Sequence, residues 1–553
     1  MVTTQPTPTQ ISTNHNTRVS LIQSINNSKT LVVIALTGGG QVIGDLLSVP
    51  GTSGTLLEAT ITYSPESLRD YIGFTPDQYC CRQTACYLAT AAFNRIIKII
   101  RTRKNIYSSC LKFPEAEYAS ATTWNGCSGA KPAAHTGFGI STTLCPYDVA
   151  DQLDNADFHP QKSNQQDQTT LKDFSNLISV GCTASLVTNR EKSGEHRVHV
   201  AVQTLKSTFA FSLKLRKGER TRDEEDRLVA DLILNAIDIA RNDLTDNSDT
   251  DFDYNNMSSN ELFNAFEYSS SEDSEFGVSL PLELKAGEFV ESVSVVCTPP
   301  LVDLFFGKSK AVMWHDGKIR YFCRNSTEDN LNSSKQNARS RQRETVVQER
   351  NLPSVPVAVS ALGDVNSDTF NQYAEFMQAI FPGSFNPVHS GHIGMIEVAE
   401  RRLGCRVAME ISISNADKPM IDYIALWFRL NEIARVRSGQ IVWLTQTPLF
   451  EDKSELFRGA TFIVGADTLR RFADVGQYYK NIHHLHDVLR VMAYHDCRFL
   501  VFAREHESVV ESLSSLNIPD MLRSLCDEVS ESEFKKNISS TNLRRNKITD
   551  GNF

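Results

Sequence analysis

A loop in the C-terminal part of the chain constrains the fold more than any other feature. An apolar run of strand length (residues 376–381) leads into Pro-Gly-Ser-Phe-Asn-Pro-Val-His389, and apolar residues then recur at helical spacing over 393–403. The pattern predicts a strand, a glycine-bearing loop and a helix. Backbone N–H groups of such a loop, and the positive end of the helix, favour phosphate. His389 and His392 bracket the loop–helix junction, where both imidazoles could face one anion.

Alternating strand and helix patterns continue to the C-terminus. Strand-like runs occur at 406–412, 441–444, 461–464 and 498–503, with an amphipathic helix around Leu426 and Leu430. Strands spaced by helices indicate α/β architecture with a parallel sheet, whose active site lies at the carboxyl ends of the strands.

The loop resembles the Gly-x-Phe-x-Pro-x-His-x-Gly-His signature of the nucleotidyltransferase superfamily. That superfamily includes nicotinamide and nicotinate mononucleotide adenylyltransferases, phosphopantetheine adenylyltransferase and the cytidylyltransferases. The matching positions are Gly383, Phe385, Pro387, His389, Gly391 and His392. Ile538-Ser-Ser-Thr-Asn-Leu-Arg544 is similar to the second signature, Ile-Ser-Ser-Thr-x-x-Arg. Gly465-Ala-Asp-Thr-Leu469 resembles a segment of the mononucleotide adenylyltransferases rather than of the cytidylyltransferases.

The resemblance implies a Rossmann-like parallel-sheet nucleotidyltransferase domain over residues 376–553 and assigns its site. His389, His392 and Arg544 would be catalytic, contacting the phosphates of ATP. Asp467 would contact the adenosine ribose; its alternative role is to cap a helix. The other expected binding residues are Gly383, Ser384, Phe385, Lys418, Gly465, Ser539, Ser540 and Thr541. Mg²⁺ would accompany ATP, held by phosphates and water, and no side chain is assigned as a metal ligand.

Residues 451–457 resemble a segment that precedes the Gly-x-Asp motif in relatives, and they are a candidate lining for a pyridine pocket. Trp443 or Phe450 could stack on the pyridine ring; the alternative is that both belong to the core.

The N-terminal half also alternates strands and helices. Over residues 18–242 it is similar to the CinA-type amidase family, whose bacterial members deamidate nicotinamide mononucleotide. The similarity rests on Thr37-Gly-Gly, Val49-Pro-Gly-Thr-Ser, Thr62-Tyr-Ser and Gly181-Cys-Thr-Ala-Ser. Two positions depart from the family. Ala35 stands where the nucleophilic serine is expected, and Leu68 where the lysine is expected. Neither side chain can attack or act as a base, so we expect a separate, inactive α/β domain.

The remaining segments are predicted to be a tail and linkers. Residues 1–17 form a polar tail, and 325–375 a polar linker. Residues 243–288 form an acidic disordered linker, because positions 243–277 carry ten acidic residues and no Lys or Arg. Residues 289–324 regain apolar character, and His315-Asp-Gly-Lys318 predicts a β-hairpin there.

The composition of the chain limits which binding partners and which cellular location are expected. The 553 residues carry a formal charge of −10, which argues against nucleic acid as the main partner. Twelve cysteines without a Cys-x-x-Cys pair fit a reducing compartment. No apolar run is long enough to span a bilayer, and the first residues do not form a secretory signal, so a cytoplasmic protein without membrane partners is expected.

These observations predict an enzyme that joins ATP to a pyridine mononucleotide, nicotinamide or nicotinate, releasing pyrophosphate in NAD biosynthesis. Two alternatives stay open: a nucleotidyltransferase for another acceptor such as phosphopantetheine, and a non-catalytic scaffold that binds pyridine nucleotides. Formation of a homo-oligomer through the amidase-like half is also left open.

Overall fold

The computed structural model describes residues 8–110, 174–189, 193–246, 263–264, 266–273, 281–324, 374–414, 419–506 and 509–534. These ranges contain two α/β sheets, one from each half of the chain. Residues Ile97–Thr170 form a compact unit of their own, of which the described part is the end of one helix.

The described strands, in chain order, are β1 (Leu31–Leu36), β2 (Leu56–Ile61), β3 (Leu177–Ser185), β4 (His196–Gln203), β5 (Ser207–Leu215), β6 (Phe263–Asn264), β7 (Phe266–Asp273), β8 (Val290–Cys297), β9 (Ser309–His315), β10 (Lys318–Arg324), β11 (Ala379–Pro382), β12 (Ala408–Ser412), β13 (Ile441–Thr445), β14 (Thr461–Gly465), β15 (Arg498–Phe502), β16 (Arg504–His506), β17 (Val509–Glu511) and β18 (Cys526–Val529).

The described helices are α1 (Pro8–Asn27), α2 (Gln41–Ser48), α3 (Pro65–Ile72), α4 (Arg82–Cys110), α5 (Arg222–Asp246), α6 (Pro299–Phe305), α7 (Ser390–Leu403), α8 (Tyr423–Val436), α9 (Phe450–Leu456), α10 (Ala466–Phe472), α11 (Val475–Tyr478), α12 (Ile482–Tyr494) and α13 (Asp520–Arg523). Within the described ranges, no helix combines the length and the apolar composition needed to cross a membrane.

The N-terminal sheet has helices on both faces. Its strand order in the described chain is β2-β1-β3-β4-β5-β8-β7, with β1 parallel to both neighbours and the other pairs antiparallel. Alternate residues of β3, β4 and β5 pack with α5, α1 and α2 into one core. The intervening residues face α4, where Ser179 Oγ donates to the carbonyl oxygen of Ala89.

The C-terminal sheet has a parallel centre and an antiparallel edge. Its strand order in the described chain is β18-β15-β14-β11-β12-β13-β9-β10-β6. The six strands from β18 to β13 are mutually parallel, and β9 joins β13 in the antiparallel sense. This confirms the predicted α/β class and the parallel sheet. The core beneath the sheet is formed with α9, α10 and α12.

The predicted hairpin is present, but the segment around it belongs to both sheets. β9 and β10 pair across a two-residue turn at Asp316 and Gly317, whose φ angles are 44° and 79°. The hairpin extends the C-terminal sheet, whereas β8, only a few residues earlier, lies in the N-terminal sheet. The C-terminal sheet therefore includes strands that precede residue 376.

Two predictions of unstructured segments are wrong in part. Within the predicted linker 243–288, β7 pairs with β8 along its full length, and Glu288 is buried in an ion pair of 2.7 Å with Arg220. Paired backbone and a neutralised charge allow an acidic segment to be ordered. Within the predicted tail 1–17, helix α1 begins at Pro8. The predicted linker 325–375 lies almost wholly outside the described residues.

Gly181 brings the backbone of α4 directly onto β3. A Cβ at this position would collide with the carbonyl oxygen of Ala85 and the amide nitrogen of Ala89, both of which are helix backbone. We expect Gly181→Ala to lower the free energy of unfolding by about 2 kcal/mol or more, because backbone atoms cannot move without separating helix and sheet. Urea denaturation measures the change.

Gly44→Ala is the matched control for this measurement. Gly44 lies on the exposed side of α2, and no atom lies within 4 Å of the added Cβ. It should raise the free energy of unfolding by about 0.5–1 kcal/mol, because alanine loses less backbone entropy in a helix. Equal effects of the two substitutions would contradict close packing at Gly181.

Candidate functional site

The strand order of the C-terminal sheet marks one crevice. Counted along the chain, its parallel strands lie in the order 3-2-1-4-5-6, with β11 first and β14 fourth. The connections after these two strands leave in opposite directions, so their loops separate at the carboxyl ends. Ligands of open α/β sheets bind at this switch point. The two loops there are residues 383–388, after β11, and the turn at Gly465, after β14.

The 383–388 loop is shaped by a buried aromatic ring. Gly383 N–H donates to the carbonyl oxygen of Glu410 on β12 at 2.9 Å, which extends the pairing of β11 by one residue. Phe385 is 1% exposed, with φ at 44°, and its ring covers Gly383. A Cβ on Gly383 would lie 2.8 Å from Phe385 Cζ, so a side chain there would displace the ring. The loop therefore requires glycine at 383.

His389 and His392 form one unit at the start of α7. His389 is the N-cap residue, and its backbone N–H donates to His392 Nδ1 at 3.2 Å. The two rings stack with centroids 3.6 Å apart and planes 20° from parallel. Because Nδ1 of His392 accepts, a neutral His392 carries its hydrogen on Nε2 and keeps that hydrogen for another acceptor. Within the described residues, neither ring nitrogen of His389 has a hydrogen-bond partner.

Burial keeps both imidazoles neutral near pH 7. Desolvation, with a smaller effect of the Arg504 charge, lowers the pKa of His389 to about 4. Desolvation, then His389 and Arg504, lowers the pKa of His392 to about 3. An anion placed against the pair would oppose these shifts, because it favours the protonated rings.

Asp467 and Arg504 lie at the other side of the crevice. Gly465 is the N-cap residue of α10, and a Cβ on it would strike Asp467 Oδ1 and lie 3.1 Å from Arg504 Cγ and Nε. Arg504 Nε is 3.7 Å from Asp467 Oδ1. Asp467 lies in the first turn of α10, and within the described residues its buried Oδ1 has no hydrogen-bond partner.

The structure adds three residues that the sequence patterns did not single out. Arg504 follows β15, and its position just after a predicted strand was the available signal. Ser412 and Ser414, at the carboxyl end of β12 and beyond it, have buried hydroxyl oxygens without a hydrogen-bond partner in the described chain. No periodicity or spacing distinguishes such serines.

Ser384 is exposed, and its carbonyl oxygen accepts from Arg429 Nη1 of α8 at 3.2 Å. The structure thus brings together seven of the twelve predicted site residues. These are Gly383, Ser384, Phe385, His389, His392 and Asp467, with Gly465 in the opposing turn. The other predicted residues, Lys418, Ser539, Ser540, Thr541 and Arg544, lie outside the described residues.

The two aromatic residues considered for ring stacking differ in their burial. Trp443 is fully buried, and its Nε1 donates to the carbonyl oxygen of Phe376. Phe450 packs edge-on against Phe462 and Phe499. The stacking hypothesis is therefore wrong for Trp443, whose ring is covered by protein. For Phe450, which is only partly buried, it stays a prediction.

The two N-terminal positions at which the sequence departs from the amidase pattern, 35 and 68, are both buried. Ala35 lies buried in β1, and Leu68 is a core residue of α3. A cavity of about 500 Å³ adjoins the Thr37–Gln41 turn and Tyr63. The carboxylate of Asp226 accepts from the N–H groups of Gly39 and Gln41 there, so the protein's own anion occupies this turn.

Among the described residues, no group of three or more His, Cys, Asp or Glu is arranged to hold a metal ion. Asp467, the carboxylate at the crevice, pairs with Arg504.

One family model matches the C-terminal region of the chain. Residues 380–546 match the family model described as cytidylyltransferase-like, which confirms the superfamily resemblance for that region. The match supports nucleotidyltransferase activity in general. A comparison with curated proteins finds no match to this chain. Among solved structures, the chain is similar to the competence/damage inducible protein CihA from Agrobacterium tumefaciens. The identity is 15% and the TM-score 0.23, over 41% of this chain and 95% of that one.

The lowered pKa values of the two histidines predict a pH-dependent stability. The unfolded chain protonates them near pH 6.5, whereas the folded protein does so at about 4 and about 3. Between these values the unfolded state binds more protons, so the free energy of unfolding falls as pH drops from 6.5 towards 4. Replacing both with asparagine should make this decline shallower in urea denaturation at a series of pH values. His199, whose pKa is also lowered to about 3, still contributes to the decline in the variant. Identical slopes for wild type and variant would contradict the assignment.

Arg504→Gln should raise the pKa of both His389 and His392, because the guanidinium charge opposes their protonation. Titration of the imidazole C–H resonances by NMR measures the shift. The matched control is Arg470→Gln, which removes an arginine that pairs with Glu511 instead. Unchanged titration in Arg504→Gln would show that Arg504 lies too far from the histidines to act on them.

Proposed function

We propose that the protein transfers the adenylyl group of ATP to nicotinamide or nicotinate mononucleotide, forming the dinucleotide and releasing pyrophosphate. One observation carries the proposal of nucleotidyl transfer. It is the stacked, neutral pair His389/His392 at the start of α7, in the switch-point crevice, with unpartnered ring nitrogens on His389.

The reaction needs little covalent chemistry from the protein. A phosphate oxygen of the mononucleotide attacks the α-phosphorus of ATP, the bond to the bridging oxygen breaks, and pyrophosphate leaves. The attacking phosphate is already anionic, so no protein nucleophile is required. The barrier lies in bringing two anions together and in stabilising the charge that develops on the phosphoryl oxygens.

The described residues can supply that stabilisation. Neutral His392 offers Nε2–H, and His389 one ring N–H, to phosphate oxygens. The start of α7 adds the positive end of a helix to the same place. Arg504 contributes a fixed positive charge on the far side of the crevice, and Asp467 is positioned to accept from a ribose hydroxyl. Mg²⁺ bound to the phosphates would neutralise the leaving pyrophosphate.

Lys418, Ser539, Ser540, Thr541 and Arg544 complete the proposed phosphate site by resemblance to the family. Arg544 would hold the triphosphate as a two-pronged donor, and Lys418 as a point charge.

The choice of ATP and a pyridine mononucleotide has two supports. The Gly465-Ala-Asp467 segment resembles the mononucleotide adenylyltransferases. The N-terminal half is similar to a family whose bacterial members act on nicotinamide mononucleotide. That half would not be an amidase, because buried Ala35 has no oxygen with which to attack.

The test uses the full-length protein with Mg²⁺ and either ATP or CTP. Nicotinamide mononucleotide, nicotinate mononucleotide and phosphopantetheine are offered in parallel, while pyrophosphate release and the joined product are measured. We expect turnover with ATP and a pyridine mononucleotide. His392→Asn keeps an acceptor for the His389 N–H but loses the Nε2 donor, and should lower kcat by about 100-fold. His483→Asn, at an exposed position of α12, is the matched control and should retain full activity.

Each other outcome is decisive. Turnover with phosphopantetheine alone would keep the mechanism and overturn the acceptor, and turnover with CTP alone would overturn the nucleotide. Silence with every pair, from a folded protein that binds ATP, would favour the non-catalytic scaffold.

A further inference from the structure

Helix α8 belongs to the C-terminal half by sequence, but its first turn is fixed by the N-terminal half. Its N-cap residue, Asp422, is 2% exposed, and the carboxylate accepts from Ala425 N–H at 2.8 Å and from Gln83 Nε2 of α4 at 2.9 Å. Tyr423 is fully buried. Its N–H donates to Thr208 Oγ1 of β5, and its hydroxyl donates at 2.8 Å to the carbonyl oxygen of Leu205.

Aromatic contacts continue this attachment along α8. The ring of Trp427 stacks on Tyr268 of β7, with centroids 3.9 Å apart and planes 6° from parallel. The guanidinium carbon of Arg82 lies 5.5 Å from the centre of the Phe428 ring. Polar bonds at one end and stacked rings further along fix both the axial position and the rotation of the helix.

Helix α8 also contacts the 383–388 loop. Arg429, two turns beyond Asp422, donates through Nη1 to the carbonyl oxygen of Ser384. The next residue, Phe385, adopts a φ of 44°, a left-handed conformation that is unfavourable for a residue other than glycine. A loop held against its preference needs contacts that keep it there, and Arg429 provides one from outside the loop.

We propose that the N-terminal half positions the 383–388 loop through α8, with Arg429 as a positioning residue for nucleotidyl transfer. The inference rests on the proposed function. It gives the amidase-like half a role that needs no catalytic serine. Because a displacement of about 1 Å at a reacting group is enough to slow a reaction strongly, anchoring α8 on a second sheet would set the rate at a distance.

The experiment is a double-mutant cycle in the full-length protein between Gln83→Met and Arg429→Gln. Gln83→Met keeps the side-chain volume and removes the donor to Asp422, whereas Arg429→Gln removes the donor to Ser384. Each single variant should lower kcat/KM for ATP by about 10-fold, chiefly through kcat. The double variant should have a kcat/KM no lower than that of the less active single variant, because both changes interrupt one chain of contacts.

Two controls lie on the same helices. Arg95→Gln on α4 removes a partner of Glu58, and Arg435→Gln on α8 removes a partner of Glu432. Neither ion pair includes a residue of the 383–388 loop. Both variants should leave kcat/KM unchanged. If Gln83→Met fails to fold, Tyr423→Phe replaces it, because it loses only the hydroxyl that reaches Leu205.

Amide hydrogen exchange supplies a readout that does not need turnover. Exchange over residues 383–388 should quicken in Gln83→Met and Arg429→Gln, but not in the controls. Losses that multiply in the double variant, or exchange that is unchanged in the loop, would overturn the positioning role. If the wild type is inactive while the loop still exchanges faster in Gln83→Met, the proposed function fails and the coupling between the halves stands.

Discussion

Strand β11 has parallel neighbours on both sides whose connections depart in opposite directions, and the site depends on this arrangement. No crossover can cover the carboxyl end of such a strand, so the loop that leaves it stays open while its base is held in the sheet. The Gly383 N–H bond to β12 and the ring of Phe385 then set the path of the loop towards α7. The histidines, Asp467 and Arg504 meet because their elements end at the same edge.

The low polarity of the protein beside the carboxyl edge of the sheet has two consequences. It makes protonation of His389 and His392 unfavourable, which keeps them as hydrogen-bond donors rather than charges. It also surrounds the pair formed by Lys453 Nζ and Glu410 Oε1, 2.7 Å apart and nearly inaccessible to water. Thr445 Oγ1 and the carbonyl oxygen of Thr447 complete this network. Removing one partner of such a pair leaves a buried charge and typically costs about 3–5 kcal/mol. Glu410 therefore ties α9 to the strand that supports the 383–388 loop.

How much of the structure the sequence predicts depends on how far apart in the chain the interacting residues lie. Strands β11 to β15 and the loop at Gly383 are encoded by local periodicity and by residues adjacent in the chain, and they were predicted. The hairpin at Asp316 and Gly317 was also predicted, because its turn is local. Its place in the C-terminal sheet was not, since partner choice depends on β13, more than a hundred residues away. For the same reason the sequence does not reveal the role of Arg504, nor the pairing of residues 266–273, which their acidic composition assigned to a linker. For Trp443 and Phe450, local patterns could not decide between pocket and core.

The segment from Val290 to Arg324 has a consequence for the history of the chain. It gives β8 to one sheet and β9 and β10 to the other, with a single short helix between them. A gene division between β8 and β9 would separate β10 from its partner β6, and a division within β8 or β9 would cut a strand that is paired on both sides. Either division exposes strand backbone at a sheet edge, where it invites aggregation. Fused proteins joined by a spacer can be separated again into independent genes, but these two halves share structural elements. Selection would therefore act on them as one heritable unit, whatever first brought them together.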